Sequence, residues 1–192
     1  MGSEMCIRDR PRSAAFLNSE ELVFTSFGSK YLAYNIKSKA WKYDNYENTW
    51  GINAICAVGA NLYHVGDSGV VFKNGVSELE LSSLCNFLES MDNFIIAGGQ
   101  SGEIFDVRSG EVIYKHKSPL NCAAAIKTRS GNYFAVGTYT GELVIIESLE
   151  GSLRYKCIVD AHSQAVKGIC SDNSQIFSVC ASGDVCLSLI HI

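Results

Sequence analysis

Apolar residues recur along this chain in short alternating runs, separated by small polar turns that close on glycine. Four segments share the pattern: NLYHVGDSGVVFKN, NFIIAGGQSGEIFDV, NYFAVGTYTGELVII and QIFSVCASGDVCLS. A more degenerate copy, LVFTSFGSKYLAYNI, precedes them. Alternation at a period of two signals strands, and Ser-Gly or Thr-Gly between two such runs predicts a hairpin. Glycine suits the turn because it takes positive φ without steric cost. The turn glycines Gly28, Gly69, Gly102, Gly141 and Gly183 are spaced by 41, 33, 39 and 42 residues.

Each hairpin is flanked by further strand signals. Upstream lies a small apolar run carrying cysteine: NAICAV, SSLCNF, LNCAAA or KGICSD. Downstream, a second turn such as Arg108-Ser109-Gly110 or Leu149-Glu150-Gly151 leads to a more polar strand, EVIYKH or SLRYKCIV. A four-stranded unit repeated about every 40 residues is the pattern of a β-propeller blade. The predicted fold is all-β: a partial β-propeller of about four and a half four-stranded blades, an open arc of a seven-bladed ring.

With these residues the sequence resembles the WD-repeat (WD40-like) family over residues 17–186. Ala161-His162 stands where that family has Gly-His, and Phe105-Asp106 stands where it has Trp-Asp. The chain contains no Trp-Asp dipeptide. The stretch IIAGGQSGEIFDVRSGEVIYKHKSP also resembles the repeat of pyrroloquinoline-quinone propellers, which share the blade architecture. The WD-repeat resemblance implies a non-enzymatic scaffold that binds a protein or peptide through its loop face. The alternatives are a fragment of a propeller enzyme of the quinoprotein dehydrogenase type, or the propeller domain of a larger multidomain protein. In the WD-repeat topology the hairpin turns and the blade connections share one face. That places Asp67, Gln100 and Tyr139 near Trp50, Asn53, Asn121 and His162 as candidate partner-binding residues. The resemblance also implies that His162 braces one blade against the next.

Composition narrows the function classes. The 192 residues are 47% hydrophobic and 19% charged, enough apolar content for a sizeable core. Net charge is -4 without a basic run, which argues against nucleic-acid binding. No apolar run approaches the roughly 20 residues of a membrane-spanning helix. The eight cysteines form no zinc-type CxxC pair, so they read as buried thiols in a reducing, cytoplasmic setting. No metal or cofactor is expected. GGQSG and GDSG are followed by strand residues rather than by the helix a phosphate loop needs, and so read as hairpin turns.

The two ends stand apart from the repeats. Met5–Asp9 back-translates as ATG TGT ATA AGA GAC, with AG opening Arg10. The reverse complement, CTG TCT CTT ATA CAC AT, encodes Leu-Ser-Leu-Ile-His and opens an Ile codon, as in residues 187–192. The shared sequence resembles a sequencing-library adaptor. Residues 1–10 and 187–192 are therefore expected to be adaptor-like and non-native, flanking a propeller segment at 11–186.

Overall fold

Gly69, Gly102, Gly141 and Gly183 all take positive φ, each between two antiparallel strands. The structure is a computed structural model that describes residues 11–26, 30–45, 51–172 and 175–189. Gly28 and Trp50 lie outside these residues.

The strands form five antiparallel sheets, the blades, taken in chain order. Blade 1 is β1 (Pro11–Phe16), β2 (Glu21–Ser26), β3 (Lys30–Asn35) and β4 (Ala40–Asn45). Blade 2 is β5 (Ile52–Val58), β6 (Asn61–Gly66), β7 (Val70–Lys73) and β8 (Val76–Glu80). Blade 3 is β9 (Cys85–Met91), β10 (Phe94–Gly99), β11 (Glu103–Asp106) and β12 (Val112–Lys115). Blade 4 is β13 (Leu120–Lys127), β14 (Asn132–Thr138), β15 (Glu142–Leu149) and β16 (Ser152–Asp160). Blade 5 has three described strands, β17 (Val166–Ser171), β18 (Gln175–Cys180) and β19 (Val185–Leu189).

The expected four and a half blades of a seven-bladed arc are thus corrected to a five-bladed β-propeller. Two causes produced the error. LVFTSFGSKYLAYNI looked like half a unit, yet PRSAAF pairs with it as an inner strand and AWKYDN as an outer one. The figure of seven came from the family resemblance and from no residue of this chain. Of the segment at 187–192, Leu187 pairs with Phe177 and Leu189 with Gln175 in the third strand of blade 5.

Packing follows chain order. The inner strands β1, β5, β9, β13 and β17 each lie against the next. Between successive blades sit four apolar layers, and their composition explains the cysteine-bearing runs. Ala54, Cys56, Cys85, Leu88 and Ala97 pack between blades 2 and 3, where small side chains let two sheets approach closely. Larger residues such as Phe87, Phe94, Phe134 and Ile146 fill the space between blades 3 and 4. Tyr133, Leu143, Ile145, Val166 and Ile176 pack between blades 4 and 5. Cys170 departs from the buried reading of its run: it is exposed, paired opposite Phe177.

The turn glycines have a second constraint besides their φ. The backbone N–H of Leu81, His116 and His162 donates to the carbonyl oxygen of Gly69, Gly102 and Gly141, at 3.0, 2.8 and 3.0 Å. Each bond ties a hairpin tip to the connection leaving the same blade. A Cβ on Gly141 would sit 2.0 Å from the His162 carbonyl oxygen, and one on Gly102 would sit 2.3 Å from that of His116. Gly151 has φ +79 but open space around a Cβ. Gly151→Ala is therefore expected to cost about 1 kcal/mol, the strain of positive φ alone. Gly141→Ala is expected to cost about 3 kcal/mol or more, because backbone must also move. Urea unfolding midpoints of the two variants measure the difference.

Candidate binding face

Hydrogen bonds between hairpin tips and blade connections put both sets of loops on one face, as the topology of the resemblance implies. On this face the first turn residue of each hairpin is held in a repeated way. Asp67, Gln100, Tyr139 and Ala181 donate their N–H groups to the carbonyls of Gly51, Leu84, Pro119 and Ala165, at 3.0, 3.1, 3.0 and 2.9 Å. Each acceptor immediately precedes the inner strand of the same blade. The backbone is fixed while the side chains of Asp67, Gln100 and Tyr139 remain exposed. The structure therefore brings these three predicted residues to equivalent points.

Asn53 and Asn121 occupy a different kind of position. Every inner strand has a bulge at its second residue, where the register skips Arg12, Asn53, Asn86, Asn121 and Lys167. A bulge leaves its extra residue outside the two-fold alternation and re-aims its side chain. In the three middle blades that side chain is asparagine, and its amide crosses to the next blade. Asn53 Nδ2 donates to the Cys85 carbonyl at 3.1 Å, Asn86 Nδ2 to that of Leu120 at 2.8 Å, and Asn121 Nδ2 to that of Val166 at 2.7 Å. The acceptors are the first residues of β9, β13 and β17. Asn53 also donates to Asp67 Oδ1 at 2.8 Å and accepts from Arg12. Asn53 and Asn121 are thus committed to joining blades. Asn86, Arg12 and Lys167 are the residues that sequence reasoning missed; the signal was an Asn at the second place of INA, CNF and LNC.

The flanking blades carry cations at the same place. Lys167 Nζ lies 5.1 Å from the centroid of the Tyr139 ring, within cation–π range. His162, half-buried, has Nε2 2.8 Å from Ser178 Oγ on β18, so it spans blades 4 and 5 as the resemblance implied. Next to it in the series, Glu142 gathers a network: it accepts from Thr138 at 3.0 Å and from Thr140, with Lys117 Nζ 3.4 Å and His116 Nε2 3.7 Å away. Burial works to raise the Glu142 carboxyl, but the threonine hydrogen bonds and the neighbouring His116 and Lys117 bring it down to about 2. Phe105 is buried, and Asp106 beside it holds Arg108 by two contacts, 3.1 Å to Nε and 2.7 Å to Nη2.

Among the described residues, no group of three or more His, Cys, Asp or Glu side chains converges to hold a metal. No helix there is long and apolar enough to cross a membrane.

The five-bladed array with tied hairpin tips and blade connections has the fold of WD40 β-propeller domains. The WD40 propeller domain of Doa1 matches with a TM-score of 0.75 and 13% identity over 96% of this chain and 66% of that one. A chain of the mitotic checkpoint complex matches with a TM-score of 0.74 and 10% identity, over 93% and 61%. The computationally designed Ika8 protein gives 0.71 and 16%, over 92% and 57%. The chain thus spans between 57% and 66% of these structures' lengths. No protein-family model and no curated protein sequence matches it.

The inner strands also hold a titrating group. Glu89, fifth residue of β9, lies beside Cys56, fifth residue of β5. Burial pushes the Glu89 carboxyl up to about 7, although the Ser90 N–H donates to it at 3.1 Å. Its pKa is higher folded than unfolded, so the folded state holds the proton more tightly. The stability this proton contributes is complete below about pH 4.5 and is lost as pH rises through 7. Glu89→Gln is expected to remove that loss and to exceed the parent protein at pH 8 by up to about 3 kcal/mol. Denaturant titrations at pH 5 and pH 8 measure it.

Proposed function

We propose that the chain is a non-enzymatic propeller scaffold that binds a protein or peptide on the face carrying the hairpin tips. The observation behind this reading is the repeated fixing of Asp67, Gln100 and Tyr139. Their backbones are tied to the start of their own blades, while their side chains project into solvent. Rigidly held loop residues lose little entropy when a partner docks, and tyrosine is a favoured anchor. Tyr139 is 41% exposed and supported by Lys167, which makes blades 4 and 5 the centre of the proposed contact. The fold's likeness to WD40 domains supports a scaffold role in general terms.

The test selects binders from a displayed library of random linear peptides on the folded chain, then measures their affinity for Tyr139→Ala and Lys167→Ala. Loss of roughly tenfold or more on Tyr139→Ala is the expected result. Selected peptides that ignore both substitutions would place binding elsewhere and contradict the reading.

A further inference from the structure

β16 is the longest strand among the described residues, and it forms the outer edge of blade 4. Its nine residues pair with β15 along one side. The opposite row of N–H and C=O groups of an edge strand is open to pairing with a further strand. The outer strands of blades 1, 2 and 3 limit that risk by being short. β4, β8 and β12 have six, five and four residues, and β8 adds the exposed Glu78 and Glu80. β16 carries one such device, a bulge where the register skips Lys156. It is otherwise a long edge with exposed apolar side chains.

The side chains of β16 divide by face. Tyr155 and Ile158 pair opposite Ile146 and Val144, whose side chains pack against blade 3. The two β16 residues are themselves 44% and 37% exposed. The Tyr155 ring stacks on Tyr114 of β12, with centroids 4.4 Å apart and planes 12° from parallel. It is therefore already held in place on the outer wall between blades 3 and 4. On the other face, Arg154 pairs opposite Glu147, but Lys156 Nζ takes that carboxylate at 2.8 Å. Arg154 is exposed, and among the described residues no carboxylate holds it. Two cations thus share one carboxylate, which leaves this edge positive in a chain of net charge -4.

We infer that the outer edge of β16 takes up an extended acidic segment of a partner protein as a fifth strand of blade 4. Side chains of an added strand alternate between the two faces. An apolar residue then lies beside Tyr155 and Ile158, and a neighbouring Asp or Glu lies beside Arg154. The planar guanidinium fork suits a carboxylate, so Arg154 selects the sign of the partner while backbone pairing supplies the affinity. A second copy of β16 would bring Arg154 and Lys156 to an edge that already carries both cations. The charge therefore favours an acidic partner over self-pairing. This surface lies on the outer wall, apart from the hairpin tips, and does not depend on Tyr139.

The probe is a displayed library of short peptides with apolar residues at alternate positions and Asp or Glu between them, selected on the full chain. Selected peptides are expected to slow hydrogen–deuterium exchange in β16. Their affinity is expected to fall roughly tenfold or more on Arg154→Glu and to be unchanged on Tyr139→Ala. Replacing the peptide's acidic residues with Lys is expected to restore binding to Arg154→Glu, which shows that the variant still folds. Backbone N-methylation at one of the two alternating sets of peptide residues is expected to abolish binding, because only one set pairs with β16. A library that yields no binder overturns the inference. Peptides that ignore Arg154→Glu, or that tolerate N-methylation of both sets, overturn it as well. Dimerisation of the parent chain with protection of β16 would give the edge to a second copy and overturn it too.

Discussion

An asparagine amide reaching from one inner strand to the backbone carbonyl that opens the next is the contact on which this propeller depends. Blade faces are apolar, and apolar packing is not directional; alone it would let one sheet slide or turn on another. A hydrogen bond to a fixed carbonyl removes that freedom. It is made by Asn53, Asn86 and Asn121 in turn, at 3.1, 2.8 and 2.7 Å. The bulge at the second residue makes the reach geometrically available, and so the two features occur together. At the sixth residue the direction reverses: Ser90 and Ser171 donate back to the carbonyls of Ala57 and Ala125, at 3.4 and 2.5 Å. Blades 2 and 3, and likewise blades 4 and 5, are pinned at both ends of their inner strands.

The binding face inherits its rigidity from this arrangement. Hairpin tips are tied back to the residues just before their own inner strands, two positions ahead of the bulged residues. A displacement of one blade would carry its tip residue with it. Tyr139 and Lys167 make the dependence explicit, since their contact joins the tip of blade 4 to the bulge of blade 5. Glu142 adds an electrostatic brace, drawing Thr138, Thr140 and Lys117 into one cluster across the hairpin and the preceding connection.

Strand order and turn positions were legible in the sequence because they follow from local rules. Alternation gave the strands, and glycines needing positive φ gave the tips. Those rules located Asp67, Gln100 and Tyr139 at equivalent points. They did not reveal the bulges, because one extra residue in a short strand leaves the apolar alternation nearly unchanged. Asn53 and Asn121 consequently looked like loop residues available to a partner, and Asn86 was passed over. Blade number was misread for a related reason. PRSAAF carries neither the cysteine nor the turn that mark the other inner strands, yet it pairs with β2 over Phe16↔Leu22 and Ala14↔Phe24. Trp50 lies outside the described residues.

The central claim is that second-position asparagines couple neighbouring blades. Hydrogen–deuterium exchange of Asn86→Ala against the parent chain tests it most directly, followed peptide by peptide. The expected result is faster exchange in both β9 and β13, on the two sides of the broken Asn86–Leu120 contact, with blade 1 unchanged. Exchange that rises only around residue 86, leaving β13 as protected as before, would contradict the claim.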